Sequence, residues 1–160
     1  MKYIDLENLE GLPGVRLEAG DTFSFHCHPE IACFNRCCRN LNLFLYPYDV
    51  FRLKKKLHIS SDQFLEQYVD IVMRKSSYFP AVLLRMSDDS EKTCPFLIES
   101  GCSVYSDRPD SCRTFPLEQG IIYDVQKNKS RMIQLFRPPD FCLGQHENKT
   151  WTTQNWTQDL

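Results

Sequence analysis

Eight cysteines carry most of the chemistry open to this chain: Cys27, Cys33, Cys37, Cys38, Cys94, Cys102, Cys112 and Cys142. The first four crowd into "CHPEIACFNRCC", and three more punctuate "CPFLIESGCSVYSDRPDSC". Thiolate sulfur is the natural ligand for soft and borderline metals. Zinc takes about four such ligands at roughly 2.3 Å, and iron–sulfur clusters are held by about four cysteines. A tight nest can supply two or three sulfurs while distant segments close the site. Irregular loops suit this, because their backbones can aim several Sγ atoms at one point.

The adjacent pair Cys37–Cys38 constrains the geometry. Neighbouring side chains point to opposite faces of a strand, and on a helix they diverge by about 100°. Either a turn bends both inward, or one ligates while the other packs or serves a second site. A vicinal disulfide would lie far from relaxed disulfide geometry. Cysteine also acts as a small buried hydrophobe, which suits a lone Cys142 better than a cluster in loops. An even count fits a disulfide scaffold as well. Sulfur-only ligation does not choose between zinc and an iron–sulfur cluster; one principal site is the expectation. His26 and His28 flank Cys27 and offer nitrogen ligands, whereas His58 and His146 read as structural. The chain has no HExxH motif, glycine-rich phosphate loop or Ser/His/Asp set, so no catalytic constellation is readable.

Composition narrows the partners. Lys and Arg total 19 against 21 Asp and Glu, for a net charge of −2. Nucleic acid and anionic membrane both call for a basic surface, so neither is expected. The run Lys54-Lys55-Lys56 fits a solvated helix face. No apolar stretch reaches the roughly 18–20 residues that span a bilayer, and the acidic start "MKYIDLENLEGLPGV" is no secretory signal. A cytoplasmic setting follows as the expectation. Stable disulfides are uncommon there, which turns the thiols toward metal.

The elements that must position these residues are short. Residues 1–22 read as a mobile lead-in and 23–160 as one cysteine-cluster metal-binding domain. Pro47 opens a helix over "PYDVFRLKKKLHI", since proline is tolerated at the first helical position. Ser60 and Gln63 form a capping-box pattern for a second helix, "SSDQFLEQYVDIVMR", whose apolar face runs Phe64, Leu65, Tyr68, Ile71, Val72. "FPAVLLRM" reads as a strand, and "IIYDV" with "RMIQLF" as a hairpin across "QKNKS". Pro109 can start a one-turn helix that presents Cys112. "TWTTQNWTQDL" reads as the start of a helix. The expected fold is α+β: a small single domain with two consecutive helices, short strands and cysteine-rich loops.

"CFNRCC", "YDVFRLKKKLHISSDQFLEQY" and above all "GCSVYSDRPDSCRTFP" resemble the YkgJ-type cysteine-cluster family, also called CxxCxxCC, over roughly residues 23 to 157. The resemblance implies a bacterial or archaeal cytoplasmic domain that binds zinc or iron, the latter also as a [4Fe-4S] cluster. Flagellin lysine N-methylases are similar in carrying such a cluster, so an iron–sulfur-dependent enzyme is the alternative function, alongside a structural disulfide protein. By position Cys33, Cys37 and Cys38 match the first motif, Cys94 and Cys102 the middle, and Cys112 the "RPxxCRxFP" element. Cys27 and Cys142 match less closely; the gaps after Cys27 and Cys33 are five and three residues instead of two and two, which bears on Cys27 as a ligand. The last helix looks cut short for the family. Arg108 and Arg113 also match. They would either offset the charge of a thiolate site or pair with Asp107 or Asp110.

Overall fold

The computed structural model describes residues 2–3, 14–73, 78–124 and 126–158. Half of the expected lead-in (1 and 4–13), Arg74 of the expected second helix, and the last two residues lie outside them. The helices are α1 (Pro47–Lys56), α2 (Ser61–Tyr68), α3 (Asp110–Thr114) and α4 (Thr153–Gln158). The strands are β1 (Lys2–Tyr3), β2 (Val15–Leu17), β3 (Thr22–Ser24), β4 (Phe44–Leu45), β5 (Val69–Val72), β6 (Ala81–Leu84), β7 (Leu97–Ile98), β8 (Gly101–Cys102), β9 (Leu117–Asp124), β10 (Lys129–Phe136) and β11 (Thr150–Thr152). This is the expected α+β fold, built as two compact units: 1–34 with 114–160, and 35–113. None of the described helices is long and apolar enough to cross a membrane.

In the discontinuous unit, β9 and β10 form the expected hairpin, with Leu117 opposite Phe136 and Asp124 opposite Lys129. Val15–Leu17, within the stretch read as a lead-in, adds a strand to its edge through Leu17 opposite Gln134. A separate ribbon pairs β3 with β11. Leu17, Phe23, Phe25, Leu117 and Cys142 are the buried heart of this unit, ringed by Phe115, Phe136, Trp151 and Trp156. Its rings meet edge-on, as Phe25 does with both Phe115 and Trp156 at 5.7 and 5.6 Å; such pairs add about 0.5–1.5 kcal/mol beyond area burial.

The continuous unit packs α1 and α2 beside the sheet β4-β6-β5. Leu53, Phe64, Val69, Leu84, Phe96 and Val104 are buried together, each contributing about 1.5–3 kcal/mol by leaving water. α2 starts as expected: Ser60 Oγ accepts from the Gln63 N–H, and Gln63 Oε1 accepts from the Ser60 N–H at 2.9 Å. It ends six residues early. Residues 69–72, expected to prolong its apolar face, instead form β5 against β6, leaving Ile71 60% exposed. The β-branched Val69, Ile71 and Val72 favour a pleated backbone once a partner strand exists. Arg85, directly after β6, closes the helix. Its guanidinium donates to the Glu66 carbonyl at 2.9 Å and the Gln67 carbonyl at 3.2 Å, groups a helix end leaves unpaired, and it pairs with Asp70 at 2.8 Å.

Candidate metal centre

Four short segments of the continuous unit bring thiols together. The first begins at Asn35, whose left-handed φ of 62° is one asparagine tolerates. Arg36–Cys38 then forms a single 3-10 turn, closed by the Cys38 N–H donating to the Asn35 carbonyl at 3.0 Å. In this turn the Cys38 side chain lies close enough to Cys37 to be the main cause raising its thiol.

The second segment lies alongside. The Asn40 N–H donates to Lys92 O and the Cys94 N–H to Cys38 O, both at 2.9 Å, and Arg39 bridges Thr93. Asp89 organises the approach by accepting the Glu91 and Thr93 amides at 2.9 and 3.1 Å. Cys94-Pro95-Phe96-Leu97 then turns, the Leu97 N–H donating to the Cys94 carbonyl at 3.0 Å, and the Phe96 and Leu97 amides favour the Cys94 thiolate. Phe96 is 3% exposed and anchors that turn in the core.

The third segment is β8, where Cys102 sits opposite Leu97. Gly101, at φ +118°, makes the tight return that a side chain would strain. The fourth is α3. The Cys112 N–H donates to Pro109 O at 2.9 Å, so Pro109 opens the turn presenting Cys112, as the sequence suggests. α3 is fixed from outside by Asp49, 2% exposed. Its Oδ1 accepts the Asp110 N–H and its Oδ2 the Tyr46 N–H, at 2.9 and 2.8 Å. Burial pushes the Asp49 carboxyl up, and the Asp110 amide, Arg52 and Arg113 pull it back.

The thiols act on one another. Cys112 is pushed up to about 12, by burial first and then by the like charges that Cys94, Cys37 and Cys102 would carry. Burial also raises Cys94, with Cys102 and Cys37 adding to it. Cys37 is raised most, through its hydrogen bond to Cys38 and then burial. Cys94, Cys102 and Cys112 pack against the same core cluster. Cys37, Cys94, Cys102 and Cys112 therefore form one electrostatically coupled set, with Cys38 attached through Cys37.

Positive charge stands beside it. Arg108 favours the Cys112 thiolate, stacks 3.9 Å from the centre of the Tyr105 ring and donates to Tyr105 O. Arg113 donates to Ser106 O, and its Nε is buried without a hydrogen-bond partner. Its guanidinium is held below its usual value by desolvation and then by Arg52 and Arg108. Arg108 acting on Cys112 suits the charge-offset alternative, since four thiolates around a divalent ion leave a net negative site. The carboxylate alternative is present for Arg113, on which Asp107 and Asp110 also act.

The other three cysteines belong to the discontinuous unit. Cys142 is buried in its core, Cys33 is buried with its sulfur accepting the Leu143 amide at 3.2 Å, and Cys27 is exposed. None of the eight is in a disulfide. In the same unit His26, His28 and Glu147 hold donor atoms within 4.8 Å of one another, and among the described residues this is the group of three or more donors so close. Sequence reasoning named the two histidines but missed Glu147 and Asp49. Both act across long sequence gaps, where spacing gives no signal.

No solved structure matches this chain. A family model does, over residues 26–153, which takes in all eight cysteines and both arginines. With thiols converging in the segments that carry its motifs, the chain belongs to the CxxCxxCC family, described as a putative zinc- or iron-chelating domain.

Proposed function

We propose that this protein is a metal-binding module whose centre is held by the thiolates of Cys37, Cys94, Cys102 and Cys112. The observation carrying this reading is that Cys94, Cys102 and Cys112 pack against one core cluster, with Cys37 near enough to act on Cys94 and Cys112, the four supplied by four separate segments. Bringing four potential anions together has a cost that burial deepens, and a bound cation removes it. The Phe96 and Leu97 amides favour the Cys94 thiolate, as backbone groups around thiolate ligands do.

Soft thiolates take a single zinc ion and an iron–sulfur cluster alike; the cluster, in which each of four thiolates holds a different iron, is the reading put to the test. A reducing, cytoplasmic setting belongs to this reading, because oxidised thiols cannot ligate.

Metal and acid-labile sulfide analysis of anaerobically purified protein, with its visible spectrum, tests it. Iron with matching sulfide and a broad brown absorption is the expected result; colourless protein with one zinc per chain would replace the cluster by a single ion. Cys37→Ser, Cys94→Ser, Cys102→Ser and Cys112→Ser should each lose most of the metal, while Cys27→Ser and Cys142→Ser keep it. Full retention in the first four variants would overturn the ligand assignment.

A further inference from the structure

We propose that His26, His28 and Glu147 form a second metal site, made of nitrogen and oxygen donors, which takes a divalent first-row ion such as Zn²⁺ or Fe²⁺. It is independent of the thiolate reading: its donors are of another kind and lie in the other compact unit.

Backbone contacts build the site before any ion enters. The Phe25 N–H donates to Lys149 O at 2.8 Å and the His26 N–H to Gly144 O at 3.0 Å, while the Trp151 indole donates to Phe25 O at 2.8 Å. Phe25 is 4% exposed and fixes the segment in the aromatic core. Gly144 lets the second segment come this close, since a Cβ there would stand 2.9 Å from the His26 carbonyl oxygen. From that junction the turn Leu143–His146 delivers Glu147.

The two imidazoles lie on the same side, their ring centres 4.8 Å apart and tilted by 36°. His28 Nε2 and Glu147 Oε2 are 3.8 Å apart. That is longer than the roughly 2.7–3.2 Å of a hydrogen bond, and close to the ~3.3 Å that separates two ligands each about 2.1 Å from one ion. Two histidines and one carboxylate are a recurrent donor set for Zn²⁺ and for non-haem Fe²⁺, and three protein ligands leave coordination positions open. The half-buried His28 and Glu147 leave those positions reachable from solvent. The site is therefore of the exchangeable type, in contrast to a closed four-thiolate centre.

Zn²⁺ titration of the full chain, with its thiolate centre already loaded, tests the proposal by calorimetry and by X-ray absorption at the zinc edge. One further equivalent should bind, with a nitrogen/oxygen shell at about 2.0–2.1 Å and none of the sulfur at about 2.3 Å that a thiolate site gives. Glu147→Gln and His28→Gln should each weaken that equivalent at least tenfold while metal and sulfide at the thiolate centre stay unchanged. Cys112→Ser should do the reverse, so the two readings fail separately. An absent extra equivalent, a sulfur shell around it, or unaltered affinity in both Glu147→Gln and His28→Gln would overturn the site and leave an ordinary histidine–carboxylate pair.

Discussion

Asp49 and Asp110 are 61 positions apart, and the Oδ1 of Asp49 accepts the Asp110 backbone N–H at 2.9 Å. The same carboxylate takes the Tyr46 amide at 2.8 Å on its other oxygen. One buried side chain thus caps its own helix and the short one that carries Cys112. Asparagine can accept only one of those bonds and turns an N–H toward the other donor. An unsatisfied buried donor costs about 1–3 kcal/mol, so Asp49→Asn should lower stability by that much in urea unfolding. It should also weaken metal retention through Cys112; a change in neither would remove Asp49 from the site's support.

The raised thiols set a pH signature for metal-free protein. Cys112 moves from an ordinary 9.0 up to about 12, so in the unfolded chain it loses its proton first. Its contribution to stability is complete below pH 9.0 and disappears as the pH climbs toward about 12. Metal-free protein should therefore melt at falling temperatures above pH 9.0. Loaded protein has already given up those protons to solvent on ligation and should not follow; parallel melting curves for both forms would contradict the assignment of Cys112.

Metal uptake should release protons for the same reason. Thiols raised above their ordinary value are protonated near neutrality, and ligation requires thiolate. Calorimetry in buffers of different ionisation enthalpy should show proton release on loading, with apparent affinity rising from pH 6 to 8 (about two pH units below the thiol range). Affinity that is flat with pH would argue against thiolate ligation.

Within the adjacent pair, Cys37 is the sulfur that Cys94 and Cys112 feel, and Cys38 acts on it through a hydrogen bond. Cys38→Ala should keep the metal with affinity within about tenfold, the range of outer-shell changes, whereas Cys37→Ala should abolish binding. Complete loss in Cys38→Ala would make Cys38 a direct ligand.

Gly144→Ala places a Cβ 2.9 Å from the His26 carbonyl and 3.0 Å from the Phe25 ring. Overpacking of this kind costs about 1–3 kcal/mol, to be read from denaturant midpoints. Displacing the turn should also weaken the second site and leave the thiolate centre loaded.

Local rules account for what was legible in the sequence. Pro47, the Ser60–Gln63 box, the hairpin before Phe136 and the turn opened by Pro109 depend on residues a few positions apart, and each formed where its pattern lay. Cysteine type and clustering pointed to metal, because sulfur chemistry belongs to the side chain. The end of α2 was not legible: Ile71 and Val72 fit a helix stripe until β6 offers hydrogen bonds, and that strand lies further along the chain. Selecting Cys37, Cys94, Cys102 and Cys112 from eight thiols also took the fold, since coupling depends on distance in space. Glu147 beside His28, and Asp49 beneath Asp110, were likewise decided by tertiary structure, where the chain closes long loops and brings together groups whose separation along the sequence carries no information.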